Sequence, residues 1–373
     1  MSRTMQDGDA GGHAPPPGTL DAEAVRALGF RLGETCAGPA ADAYLRWIEE
    51  EARRDSLDLL LFLTPACTLL EPLLRTGAPR SAARHAQLPV TGMTGALAEV
   101  DFRTVARRLD AFAGHFEGLS AADVLLRLNV PVPAEHVMAD LGLPDDRALT
   151  LQDRALLHRL LHVCRWQILR SGQAARGALM RGLDRMGVRP GIRVGLVDMG
   201  WDGSLIAILA GLLDTLFRAD CVGLSFVLDA PDASPRPSNL VLKGFVGRGS
   251  KGRPSLSDLA AHRPVLDLLL SPRKAEVTGY DEDPRGTVAL IWAEADPAGF
   301  GAQVIAGVTA FAAAGRSATD PLAPLAALAS GDGAADRDAL SAVLRAAAAS
   351  RTGGAPRRLS RLPFMAPPSG AVR

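Results

Sequence analysis

Lysine is scarce in this 373-residue chain: it occurs only at Lys243, Lys251 and Lys274, and arginine supplies the rest of the positive charge. Basic and acidic residues balance at 41 each, so the formal net charge is zero. That balance gives no support to a nucleic-acid or membrane-surface partner, since both usually need a basic excess. Paired cysteines are also missing. Cys36, Cys67, Cys164 and Cys221 are widely spaced and form no CxxC, which leaves buried thiols in a reducing compartment. No basic-then-apolar leader opens the sequence. The most apolar window, Leu57 to Leu74, is broken by Asp58, Pro65 and Glu71, so it makes a poor membrane span. No repeat of solenoid period occurs. The expectation is a cytoplasmic protein with no nucleic-acid partner and no membrane span.

What is present is apolar residue in quantity, 47% of the chain, enough for a substantial core in one large domain or two smaller ones. The most informative stretch is RVGLVDMGWDGSLIAILAGLLD, Arg193 to Asp214. A short apolar run ends at Asp198. Gly200 and Gly203 follow, then Ser204, then Leu205, Leu209, Leu212 and Leu213 at helical spacing. This order reads as a buried strand, a tight turn and a helix start. In an open α/β sheet ligands bind at such a junction. The free N–H groups and the dipole of the helix start favour an anion there.

Continuous apolar runs predict parallel strands near 58–63, 194–198 and 221–228, with further strands at Gln87–Val90 and Leu242–Val246. The expected fold is a parallel-sheet, Rossmann-like three-layer α/β domain over residues 21–315, with a large helical insertion at about 101–187. Residues 316–349 read as C-terminal helices. Residues 1–20 and 350–373 read as disordered tails. Val277–Tyr280 reads as a short extended piece.

Three places resemble one bacterial family. VDMGWDGS at Val197–Ser204 resembles the signature VDIGWHGS; VLDLLLSPRKAEVTGY at Val265–Tyr280 and LGFRLGETCAGP at Leu28–Pro39 resemble two further segments. These belong to HAD-superfamily-like proteins that occur with glycosyltransferases in surface-polysaccharide loci. The likeness covers roughly residues 25–315. It implies a HAD-like fold and an accessory role in bacterial surface-glycan assembly. This chain departs from the pattern. It has Thr64-Pro65-Ala66-Cys67 where the family carries Arg-Asp-Gly, Val90-Thr91-Gly92-Met93 in place of Ser-Arg-Arg, Asp267 in place of Glu, and Asp202 in place of His. It therefore resembles a degenerate member, without the separate N-terminal domain that carries HAD motifs in longer relatives. A HAD phosphatase needs two aspartates as DxD after a strand. Here the string is Asp198-Met199-Gly200, so phosphatase activity is not expected. The strand, acid, Gly-rich turn and Ser order is also similar to that of type I phosphoribosyltransferases.

The candidate ligand-binding residues are Asp198, Gly200, Trp201, Asp202, Gly203, Ser204, Asp267 and Tyr280, the last two by resemblance. Asp198 is the candidate magnesium partner, through water. Four have a structural alternative: Asp198 as a carboxylate capping the turn or helix, Gly200 and Gly203 as glycines required by backbone shape and packing, and Ser204 as a helix cap. The ligand expected is a phosphorylated sugar or nucleotide. The alternatives are a non-catalytic scaffold for a glycosyltransferase and a phosphoribosyltransferase-like transferase. Arg248, Lys251 and Arg253 form a basic loop that could close over a phosphate or stay solvated. His158 and His162 have zinc spacing but no intervening Glu and no evident third ligand. Ser225 lacks a GxSxG elbow, and Cys67 has no identifiable His partner.

Overall fold

The computed structural model describes residues 21–76, 82–114, 116, 119–143, 147–229, 236–247, 256–272, 275–283, 286–293, 296–316, 318–330, 333–352 and 358–363. The expected N-terminal tail and the basic loop with Arg248, Lys251 and Arg253 lie outside these residues.

A five-stranded, all-parallel sheet forms the centre, from β1 (Leu59–Thr64), β2 (Arg84–Pro89), β3 (Arg193–Asp198), β4 (Asp220–Leu228) and β5 (Leu240–Gly247). The three strands expected from apolar runs lie together, in the spatial order β2-β1-β3-β4-β5. Alternate residues face opposite layers, as a period of two requires. Leu60, Phe62 and Val197 join one core, while Leu59, Leu61, Val194 and Leu196 join the other.

Helices cover both faces. On the first lie α1 (Ala22–Leu32) and α2 (Gly38–Arg54), which a π-helical turn over Gly33–Ala37 joins into one rod. Helix α3 (Glu71–Thr76) follows β1, and α4 (Gly92–Ala98) follows β2. The stretch 101–187 holds α5 (Val105–Phe112), α6 (Ala121–Arg127), α7 (Glu135–Asp140), α8 (Arg154–Val163) and α9 (Arg165–Arg185). These pack with α10 (Ser204–Phe217) on the second face, through residues such as Leu109, Leu125, Leu160, Leu179 and Leu209. The first face is completed by α11 (Leu256–Ala261), α12 (Arg263–Leu270), α13 (Phe300–Ala313), α14 (Ala323–Ala329) and α15 (Ala334–Thr352). The result is a three-layer, Rossmann-like α/β protein. Among the described residues no helix is long and apolar enough to cross a membrane.

Two features depart from the sequence reading. Val277–Tyr280 is part of a second, antiparallel sheet of β6 (Ala275–Asp283), β7 (Gly286–Ala293) and β8 (Arg358–Pro363), in the order β6-β7-β8. The signal for its hairpin was present: Asp283-Pro284-Arg285-Gly286 is turn chemistry between two extended runs. The expected C-terminal tail contains β8, whose backbone completes the open edge of β7 despite a composition rich in arginine and proline. Pairing supplies hydrogen bonds that composition alone does not disclose.

Candidate functional site

The strand order reverses direction between β1 and β3: β2 lies on one side of β1, and β3, β4 and β5 follow on the other. Loops leaving the carboxyl ends of strands part at such a point and leave a crevice, the general ligand position in open α/β sheets. A cavity of about 390 Å³ lies there. It is lined by Pro65 and Ala66 after β1, Thr91 and Gly92 after β2, and Asp198 to Trp201 after β3. Arg127 from the end of α6, Arg263 and Asp267 from α12, and Glu276 from β6 close its other sides.

The turn after β3 is held firmly by its neighbours. Buried Tyr44 on α2 donates its hydroxyl to the carbonyls of Asp198, at 2.9 Å, and Leu224, at 2.6 Å. Buried Ser225 donates to the carbonyl of Gly200 at 2.9 Å and to that of Val227 at 3.0 Å. The Asp229 N–H donates to the Trp201 carbonyl at 2.7 Å. Ser225 thus anchors the loop from mid-strand and is no nucleophile. Cys67, also fully buried, donates its thiol to the Val197 carbonyl at 3.2 Å, and burial raises its pKa well above the ordinary value.

Asp198 is buried at the cavity wall. Burial pushes its carboxyl up to about 6, with smaller upward contributions from Asp202 and Asp267, against hydrogen bonds from the Gly200 and Met199 N–H groups. Desolvation of the charged form outweighs those hydrogen bonds. Gly200 is needed for this arrangement, since a Cβ there would lie 2.5 Å from the Asp198 Oδ2. Asp267 faces the same cavity. The Trp201 indole N–H donates to Asp267 Oδ1, and Arg263 Nε lies 3.6 Å from its Oδ2. The Arg263 guanidinium also sits 5.5 Å from the centre of the Trp201 ring. Opposite them, Arg127 donates to Glu276 Oε1 at 2.8 Å.

Of the residues singled out from sequence, Asp198, Gly200, Trp201 and Asp267 meet at this cavity. Asp202, Gly203, Ser204 and Tyr280 do not line it. Asp202 Oδ1 accepts the Ser204 N–H at 2.9 Å, so the chain's own carboxylate takes a free donor at the start of α10. Gly203 has a left-handed φ of 66° and packs on Leu242, which a Cβ would approach to 2.6 Å. Both facts give it a backbone and packing role. Tyr280 is directed at the β2 end, its hydroxyl donating to the Pro89 carbonyl at 3.1 Å, and burial raises its pKa. The anion position expected at the N–H groups of Trp201 to Leu205 is therefore partly satisfied from within. The charged groups that sequence reading missed are Arg127, Arg263 and Glu276. They come from elements remote in sequence, and no local spacing marks them.

Among the described residues no group of three His, Cys, Asp or Glu side chains is placed to hold a metal ion. His158 is engaged elsewhere, its Nε2 lying 2.8 Å from Asp110 Oδ1. At the cavity a magnesium ion would meet Asp198, because Asp267 is tied to Trp201 and Arg263, and Glu276 is paired with Arg127. Among the described residues one carboxylate does not fill a magnesium shell, whose remaining oxygens would come from water or a ligand. No protein-family model matches the chain, and no curated protein matches it.

Proposed function

We propose that the chain binds a phosphorylated sugar or nucleotide in the cavity between the ends of β1 and β3, as a degenerate relative of the HAD-associated proteins of surface-polysaccharide assembly. One observation carries the reading: a buried carboxyl, Asp198, faces a cavity at the switch point of the sheet, and among the described residues no cation is paired to it. A ligand hydroxyl bonds to it, donating when the carboxyl has lost its proton and accepting when the carboxyl keeps it. The guanidiniums of Arg127 and Arg263 line the same space. Each can hold a phosphoryl group while still paired to its carboxylate, because a guanidinium has five donors. Asp198 repels the phosphoryl group itself, so the two ends of the ligand are sorted by charge. A magnesium ion enters this reading only together with ligand phosphate, held to Asp198 through water. A role as a glycosyltransferase scaffold remains the alternative in which the cavity has no small ligand.

The test is a thermal-shift panel on the full chain. It sets phosphosugars, nucleotide sugars and phosphoribosyl pyrophosphate against the matching unphosphorylated sugars, with and without magnesium. A ligand at a hundredfold excess over its Kd stabilises the folded state by about 2.7 kcal/mol, which raises Tm by roughly 5 °C in a protein of this size. A shift with a phosphorylated compound only supports the reading. No shift with any of them sinks it in favour of the scaffold, and a shift with phosphoribosyl pyrophosphate alone favours the transferase.

A further inference from the structure

The arginines that balance the chain's charge are unevenly spread. Residues 102–112 and 154–170 together carry one carboxylate, Asp110. The same stretches expose Arg103, Arg107, Arg154, Arg159, Arg165 and Arg170. They form one surface. Phe102, just ahead of α5, meets Trp166 at the start of α9 with ring centroids 6.0 Å apart, edge to face. At the far end of α5, Asp110 meets His158 of α8 at 2.8 Å. These two contacts lay α5 antiparallel against α8 and the first turn of α9. The aromatic pair projects outward: Phe102 is 77% exposed and Trp166 is 56% exposed, with Val163, 56% exposed, one turn earlier. A cationic field around protruding aromatic side chains is the pattern of a protein surface that rests on a bilayer. Tryptophan and phenylalanine settle at headgroup level, and guanidiniums lie over lipid phosphates.

We infer that the face of α5, α8 and the start of α9 docks reversibly on a bilayer containing anionic phospholipid. The near absence of carboxylates on this face matches a partner surface of uniform negative charge. Single-stranded nucleic acid is the other polyanion to weigh. It needs aromatic rings open to stacking. Here Phe102 packs edge to face with Trp166, and the Arg165 guanidinium lies 5.4 Å from the centre of the Trp166 ring. Trp166 thus already carries two groups against its ring, and what stays exposed is shared with Phe102 as one outward patch. The inference is independent of the cavity and its ligand.

The experiment is co-sedimentation of the full chain with vesicles of phosphatidylcholine, with and without phosphatidylglycerol, at low and high salt, read together with tryptophan emission. The expected result is binding that requires phosphatidylglycerol, weakens with salt and shifts the emission to the blue. Two double variants follow, Phe102→Ala with Trp166→Ala and Arg159→Gln with Arg165→Gln. All four side chains are exposed, so both variants should melt as the parent does. The first should lose both the blue shift and most of the binding, and the second should weaken binding roughly thirtyfold. The inference is overturned by a failure to bind phosphatidylglycerol vesicles at low salt, or by equal binding with and without the anionic lipid. Unchanged binding in both double variants also overturns it, as does single-stranded RNA binding that needs Trp166 when vesicle binding does not.

Discussion

The ionised carboxylate of Asp198 is a cost to the folded chain, because no cation among the described residues offsets its burial. Its folded pKa of about 6 lies above the ordinary 3.8. Between those values the folded state therefore holds more protons than the unfolded one, and raising the pH through this window removes stability. The loss is absent below the unfolded value and complete above the folded value. Asp198→Asn keeps an oxygen for the Met199 and Gly200 N–H groups and never ionises. Its urea midpoint relative to the parent should rise as the pH climbs from 4 to 7 and then level off. The gain is at most about 3 kcal/mol, from two pKa units at 1.36 kcal/mol each. A difference that stays flat across this range would show that Asp198 is not buried as described. The same titration bears on function. A ligand that accepts a hydrogen bond from protonated Asp198 binds more weakly as the pH rises through about 6, and one that donates to the carboxylate binds more tightly.

The start of α10 is where the sequence pattern and the structure part. The order of strand, acid, two glycines and helix was legible, because a buried strand and an amphipathic helix each leave their period in the sequence. The use made of the turn was not. Gly203 had two readings, close approach of a ligand or backbone shape, and its φ of 66° and its packing against Leu242 give it the second. Gly203→Val should therefore destabilise the protein by about 2–4 kcal/mol in chemical denaturation, from strain at φ > 0 and overpacking. A folded variant of parental stability would contradict this. Asp202→Ala should cost about 1 kcal/mol through loss of its bond to the Ser204 N–H, measured in the same way. Asp267 was visible only through a family likeness. The structure gives it a physical setting, between the Trp201 indole N–H and the Arg263 guanidinium. Nothing in the local pattern of α6 or β6 marks Arg127 or Glu276, since their meeting depends on how two distant elements pack.

The whole molecule is a doubly wound sheet whose two faces are closed by helices from different parts of the chain. The three central parallel strands, β1, β3 and β4, follow from runs of apolar residues, which only a sheet covered on both sides can bury, whereas the outer strands β2 and β5 are more polar or less buried. The order β2-β1-β3-β4-β5 did not follow from the sequence, yet it locates the crevice. The second sheet escaped notice because charged residues break up β6 and β8 comes from a stretch whose composition argues against order. The central claim is that the cavity at the β1–β3 crevice holds a small phosphorylated ligand, and Gly92 gives the most direct handle on it. Gly92 lines the cavity, and a Cβ built there meets no atom within 4 Å. A side chain can thus leave Gly92 without meeting a wall at its first atom, and Gly92→Trp is the variant chosen to fill the cavity. The decisive measurement is the titration of parent and Gly92→Trp proteins with the phosphorylated compound that raises the parent's Tm. The account predicts that the variant melts within a degree or two of the parent and that its affinity falls at least tenfold, about 1.4 kcal/mol. A folded Gly92→Trp protein that binds the compound as tightly as the parent would contradict it, and would place the ligand elsewhere on the chain.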